Sequence, residues 1–243
     1  MTKKDEIFKS VLYPKKFSFN KEVANAFDDM ILRSIPYYQH IIELGSSFTA
    51  YYYQKNSYVY DVGCSTGNII LKILESNPRI RFRIIGIDSS EDMIGQAKNK
   101  LAHYSQNHDI SLKTEDAMLI SYHNVSVIHL NFTLQFISVR NRLVLLKKMF
   151  DNLLPGGIIF ISDKLRSKNT EFQETFTQIY EQFKEDKGYS RAEIERKKES
   201  LEQVLISFTL EEQLDLLHNV GFCDIEIVHK NLNFASLIAK KST

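Results

Sequence analysis

The stretch Tyr58-Val-Tyr-Asp61-Val-Gly63-Cys-Ser65-Thr-Gly67 decides the fold of this chain. Its first half, Tyr58 to Val62, is β-branched and aromatic and reads as a short buried strand. Gly63 and Gly67 permit backbone angles that residues with side chains avoid, so the chain can turn there. Asn68 to Asn77 then continues as an apolar-rich helix ending near Pro78. Strand, glycine turn and helix in that order bring the backbone N–H groups of a helix N-terminus up to a ligand, as in nucleotide-binding βαβ units. A lone Gly-x-x-x-Gly is also common in turns that bind nothing, so the residues C-terminal to the turn carry the decision.

A second apolar strand, Phe82 to Ile87, comes next in the chain and stops on Asp88. Asp88 lies roughly 20 residues beyond the glycine turn, the spacing at which an acid on the second strand's C-terminal tip accepts the ribose hydroxyls of an adenosine. The dinucleotide fingerprint is incomplete, because Ser65 stands where a middle glycine would lie against a pyrophosphate. A ligand without phosphates fits better. Asp61 points the same way, since a carboxylate beside the turn repels phosphate and suits a ligand carrying an ammonium and a sulfonium. S-adenosylmethionine carries both.

The chain has 243 residues, 43% of them hydrophobic, enough to bury one large core. One domain spanning 1–243 is expected. With 31 basic and 30 acidic residues the formal net charge is +1, which gives no general electrostatic reason to bind nucleic acid or an anionic membrane. Cys64 and Cys223 are the only cysteines and read as reduced thiols of a cytoplasmic protein. The seven histidines and two cysteines show no metal-ligand spacing, so no metal is expected. Met1 to Ser10 is charged without an apolar run, and no stretch approaches the roughly 18 apolar residues of a membrane span.

Asn20 can cap a helix running to Arg33, and a second helix is expected from about Tyr38 to Gln54, so that 20–54 forms an N-terminal helical pair. Tyr37 and Tyr38, as an aromatic pair, read first as packing residues. Ser89-Ser-Glu-Asp92 opens a helix that ends near Tyr104. Ile110 to Lys113 and Val125 to Leu130 read as the third and fourth strands, tipped by Asp116 and Asn131. After a helix over 140–152, Leu154-Pro155-Gly156-Gly157 turns into a fifth strand, Ile158 to Ser162. Cys223 to His229 and Phe234 to Lys240 read as two further strands in an antiparallel hairpin. The fold class is α/β: a Rossmann-like, mostly parallel seven-stranded sheet with an antiparallel C-terminal strand. In such a sheet ligands collect outside the C-terminal strand ends, where Gly63, Asp88, Asp116 and Asn131 would meet. Between the fifth strand and the hairpin, at about 165–211, lies a helical insertion. Phe172, Phe176, Ile179, Tyr180 and Phe183 form an apolar stripe on its first helix, and Ser190 with Glu193 is a capping box opening its second. Standing over the strand tips, it suits a lid or a dimer interface. The run Arg196-Lys-Lys198 within it reads by default as a solvated helix face.

The order of Asp-x-Gly-Cys, an acid after strand two, Asp116 after strand three and Leu-x-Pro-Gly-Gly before strand five resembles the class I S-adenosylmethionine-dependent methyltransferase superfamily. Gly63-Cys-Ser-x-Gly67, Asn131-Phe-Thr-Leu-Gln-Phe136, Arg33-Ser-x-Pro36, Gly188-Tyr-Ser190 with Leu201-Glu202, and Asn233-Phe-x-Ser-Leu237 are more specific. They resemble the carboxy-S-adenosyl-L-methionine synthase family from about Phe19 to Ala239. The resemblance implies a carboxyl transfer: S-adenosylmethionine is carboxylated on its methyl carbon with prephenate as donor, phenylpyruvate is released, and a partner tRNA carboxymethyltransferase uses the product on the wobble uridine of certain tRNAs. It implies ligand contacts by Tyr38, Gly63, Cys64, Ser65, Asp88, Ser89, Asp116, Ala117 and Asn131, and a homodimer. Asp88 suits the ribose, Asp116 with Ala117 the adenine edge, and the Gly63 to Ser65 backbone the methionyl part. Where the family places an arginine for the ligand's added carboxylate, this chain has Lys198, with Arg196 as a neighbouring substitute; a lysine keeps the charge and loses the bidentate fork. Two other readings of the same pocket are a methyltransferase acting on a small molecule or RNA, and a non-catalytic S-adenosylmethionine-binding protein.

Overall fold

In the computed structural model, residues 3–10, 15–202 and 204–242 are described. Helix α1 (Lys21–Ser34) starts where the Asn20 side chain accepts the Val23 N–H at 3.1 Å, and α2 (Tyr38–Tyr52) comes after the Pro36 break. The alternating core is β1 (Tyr58–Val62), α3 (Asn68–Ser76), β2 (Arg83–Asp88), α4 (Glu91–Leu101), β3 (Asp109–Thr114), β4 (Val125–Asn131), α5 (Val139–Asn152) and β5 (Leu153–Lys164). Helices α6 (Thr170–Asp186) and α7 (Arg191–Leu201) form the insertion, and α8 (Leu210–Val220), β6 (Asp224–Asn231) and β7 (Phe234–Lys240) complete the chain.

The seven strands lie in the order β3-β2-β1-β4-β5-β7-β6, with β7 antiparallel to both of its neighbours and the first five parallel. Helices cover both faces, so the central strands are buried on both sides and read as continuous apolar runs. Ile70, Ile73, Phe82 and Ile84 pack one face, and Val62, Leu130, Leu146 and Met149 the other. His129, fully buried in β4, faces Thr49 Oγ1 at 2.7 Å, and burial lowers its pKa to about 3, so it is a neutral core histidine.

Three features depart from the sequence reading. The expected turn Leu154 to Gly157 belongs to β5: Leu153 pairs with Val125, the next pairing is Ile158 with Val127, and the residues between bulge out. The bulge holds because Gly156 takes φ +75° and its N–H donates to the Lys241 carbonyl at 3.0 Å, while Lys241 N–H donates to Gly157 at 2.9 Å. Helix α8 is additional to the expected elements, although Thr209 and Glu212 supply the capping box that opens it. The α6 stripe also divides. Tyr180 turns inward, whereas Phe172 and Ile179 are 57% and 49% exposed.

Asp163, near the end of β5, is 3% exposed, and burial pushes its pKa up to about 8 against the Gln135 N–H and the nearby Arg142, which pull it down. An unfolded carboxyl titrates near 3.9, so the folded chain holds the extra proton between about pH 4 and 8 and loses stability as pH rises through that window. Asp163→Asn, uncharged and nearly isosteric, should therefore raise the thermal midpoint at about pH 8.5 by at least about 3 °C, a gain of roughly 1 kcal/mol for a domain of this size. The gain should shrink toward pH 5. Melting curves showing an equal shift at both pH values, or a loss at the higher, would refute this account of Asp163.

Candidate active site

Strand β1 pairs with β2 on one side and β4 on the other, so the chain's direction of travel across the sheet reverses at β1 and a crevice opens beyond the strand tips. A cavity of about 370 Å³ occupies it, floored by the tips of β1, β2 and β4, walled by α1 and roofed by the insertion through Tyr180, Lys197 and Leu201. The glycine turn forms the floor. Gly63 and Cys64 N–H both donate to the Ile87 carbonyl, at 2.8 and 2.9 Å, and Gly67 N–H donates to the Cys64 carbonyl at 2.8 Å. Gly63 has φ +74°, and a Cβ there would lie 2.3 Å from Thr133 Oγ1, so both backbone angle and space demand glycine. Ser65 takes the left-handed region at φ +52° without being glycine; its N–H donates to Asp88 Oδ2 at 2.9 Å, which holds it there.

Asp88 also accepts the Ser90 N–H at 2.9 Å, through Oδ1. Burial raises its pKa against these two hydrogen bonds, and the free lone pairs of a carboxylate fixed in this way suit a vicinal diol. Asp61 is 1% exposed and among the described residues its Oδ2 has no hydrogen-bond partner; burial first, and Asp88 second, push its pKa well above the usual carboxylate range. Asn131, on the β4 tip, has both amide atoms buried without a partner among the described residues. Tyr38 accepts from Asn68 Nδ2 at 3.3 Å, which leaves its own O–H as a donor, and burial raises its pKa. The Cys64 thiol is pushed up by burial and the nearby carboxylates, which makes it neutral and a poor nucleophile. Asp116 closes its turn through the Met118 N–H at 2.8 Å, and the Ala117 carbonyl accepts the Tyr122 hydroxyl at 3.0 Å. Phe19 and Phe136, edge to face at 5.3 Å, add an aromatic wall.

One ion cluster fixes the wall to the floor. Lys100 Nζ donates to Asp28 of α1 at 2.8 and 2.9 Å, to Thr66 at 3.0 Å and to Asn68 at 2.5 Å, so a single ammonium joins α1, α4 and the glycine turn.

Tyr38, Gly63, Cys64, Ser65, Asp88, Ser89, Asp116, Ala117 and Asn131 all line this one cavity. Lys198 does not. Its side chain is 53% exposed and its ammonium stands 3.6 Å from Glu181 and from Glu195. Arg196 lies outside as well, donating to the Phe8 and Lys9 carbonyls at 2.8 and 2.9 Å. Among the described residues the cationic ones that line it are Lys197 and Lys164. The physical reason for the difference is rotation, because one residue along a helix turns a side chain by about 100° and the face of α7 that packs on α1 carries Lys197. Lys164 was readable in principle, since it ends β5 and strand tips converge on the site. The residues present fit an adenosyl ligand with a cationic amino-acid arm: Asp88 is free toward a diol, and Asp61 Oδ2 and the Asn131 amide are buried polar atoms in want of partners.

Removing the Asp88 carboxylate should weaken S-adenosylmethionine binding. Two charge-assisted hydrogen bonds are each worth about 1.5–3 kcal/mol, so Asp88→Ala should cost at least about tenfold in affinity by calorimetric titration. Unchanged affinity in a folded variant would reject the ribose assignment.

A family model described as a methyltransferase domain matches residues 60–159, which run from β1 into β5. Human N-acetylserotonin methyltransferase, solved in complex with S-adenosylmethionine, superposes with a TM-score of 0.63 at 16% identity over 92% of this chain and 56% of its own. Magnesium protoporphyrin IX methyltransferase from Synechocystis superposes with a TM-score of 0.58 at 13% identity over 84% and 83%. At those identities the likeness shows the methyltransferase fold. The chain thus spans little more than half of the human enzyme. The carboxy-S-adenosyl-L-methionine synthase of Trichodesmium erythraeum is 44% identical over 99% of this chain and 95% of its own. That of Wolinella succinogenes is 38% identical over 98% of each. With such identity along nearly its whole length, the chain belongs to the carboxy-S-adenosyl-L-methionine synthase family.

Proposed function

We propose that this protein carboxylates S-adenosylmethionine on its methyl carbon, with prephenate as the carboxyl donor. The observation that supports carboxyl transfer over simple methyl transfer is the polarity of the cavity. Asp61, Asp88 and Asp116 line its floor and Lys164 and Lys197 its roof, so one space suits a cationic sulfonium ligand together with an anionic partner. Asp88 would take the ribose, Asp116 and Ala117 the adenine edge, Asp61 and Tyr38 the ammonium end, and Asn131 the neighbourhood of the sulfonium. When bound, that ligand supplies an acidified methyl group beside its sulfonium.

The overall reaction balances without a redox partner. Prephenate loses its ring carboxyl and its ring hydroxyl as it aromatises to phenylpyruvate. The carboxyl ends on the former methyl carbon, and the proton displaced there leaves with the hydroxyl as water. The roof contributes by keeping bulk water from the exchange, since carbon dioxide released into solvent would escape. On this reading the protein works in the cytoplasm as a homodimer, with Phe172 and Ile179 available to a second copy, and it hands its product to a tRNA carboxymethyltransferase for wobble-uridine modification.

Incubating the protein with S-adenosylmethionine and prephenate should yield phenylpyruvate and an adenosyl product heavier than the substrate by one CO2, both detected by mass spectrometry. Prephenate loss no faster than in the protein's absence, with a methyl group instead appearing on a small molecule or RNA, would favour the methyltransferase reading.

A further inference from the structure

Over the cavity, around Tyr180 and Ser34, ammonium groups converge with little matching counter-charge. Lys164, the last residue of β5, sets its ammonium 4.7 Å from the centroid of the Tyr180 ring, and Lys184, one turn along α6, sets its own 4.4 Å from the same ring. Among the described residues no carboxylate lies within 4 Å of either ammonium. The acid that faces them is Glu181, which already stands 3.6 Å from Lys198. Lys197 reaches in from α7 and donates to Ser34 Oγ at 2.8 Å, beside the Ser34 carbonyl that accepts the Tyr180 hydroxyl at 2.8 Å. Its nearest carboxylate, Asp5 Oδ2, is 3.9 Å away and already accepts the Tyr189 hydroxyl.

Three lysines thus cluster around Tyr180 and Ser34, shielded from water and short of counter-charge, and two of them, Lys164 and Lys197, line the cavity. Burying an ammonium without a tight partner is costly, and such groups persist where a ligand supplies the missing charge. Burial lowers the pKa of all three, that of Lys184 and of Lys197 to about 8.

We propose that Lys164 and Lys197 form a carboxylate-binding subsite in the roof of the cavity, with Lys184 behind Tyr180 strengthening its positive field, and that it takes the anionic carboxyl donor. The assignment rests on the carboxyl-transfer reading above and adds the residues that select the donor: a dicarboxylate meets two ammonium groups, whereas a neutral methyl acceptor has no use for them. The methionyl carboxylate of the adenosyl ligand is the other possible source of the same chemistry, and the test separates the two.

Prephenate is titrated calorimetrically into the full-length protein saturated with S-adenosylhomocysteine, which has no methyl group to carboxylate. S-adenosylhomocysteine alone is titrated in parallel. Lys164→Met and Lys197→Met should each weaken prephenate at least about tenfold and leave S-adenosylhomocysteine within about twofold, which also certifies the fold. Lys164→Arg, keeping the charge, should recover most of the prephenate affinity. In the parent protein that affinity should fall as pH rises past about 8, where Lys197, facing Asp5 and Arg33, and Lys184, facing Lys164, Glu181, Lys197 and Lys198, lose their protons. Unchanged prephenate affinity in both methionine variants would overturn the subsite, and so would an equal loss of S-adenosylhomocysteine, which would give the lysines to the methionyl carboxylate. If the parent binds malonate with the same dependence on Lys164 and Lys197 and does not bind prephenate, the subsite stands and the prephenate reading falls. If it binds neither, the subsite falls.

Discussion

The site depends on how tightly the tips of three strands are drawn together around Gly63. The Ile87 carbonyl accepts two consecutive N–H groups from the β1 turn, and Thr133 beyond β4 presses against the α-carbon of Gly63 from the other side. No side chain fits between them. The two contacts set the spacing of Asp61, Asp88 and Asn131, and the Ser65 N–H donating to Asp88 ties the turn's own strain to the orientation of the carboxylate.

The roof is coupled to this floor less directly. Helix α1 is the intermediary: its middle is held to the glycine turn by the Lys100 cluster, and its end at Ser34 receives both Tyr180 and Lys197. The N-terminal residues take part as well, since Asp5 is buried against Tyr189 and its carbonyl accepts from Arg33 at 3.1 Å. The insertion is tied down at other points as well: Arg33 donates to the Lys187 carbonyl at 2.8 Å, the Phe17 N–H donates to the Ser200 carbonyl at 2.8 Å, and the Tyr180 ring packs edge to face on Phe234.

The floor was legible in the sequence because it is written locally. A glycine turn, an acid at the next strand's end and polar residues at the two tips after it are close neighbours in the chain, and the parallel α/β topology brings them together without further information. The roof was not legible in the same way. That the insertion would overhang the tips could be inferred from its place after β5, but which face of α7 turns inward depends on packing against α1, and Lys197 and Lys198 are indistinguishable until that packing is known. The Leu154 to Gly157 segment shows a similar limit. Its Pro-Gly-Gly composition signals a break, yet hydrogen bonds from Lys241, far along the chain, decide that the break is a bulge within β5.

The buried Asp61 has a consequence for the energetics of recognition. Burial, and after it the charge of Asp88, favour its protonated form. An ammonium seated next to it would oppose that preference, because a nearby cation favours the carboxylate. On the proposed reading, recognition at this end of the pocket would couple the ligand's positive charge to the release of a proton. The heat of binding would accordingly carry the ionisation enthalpy of whichever buffer accepts the proton.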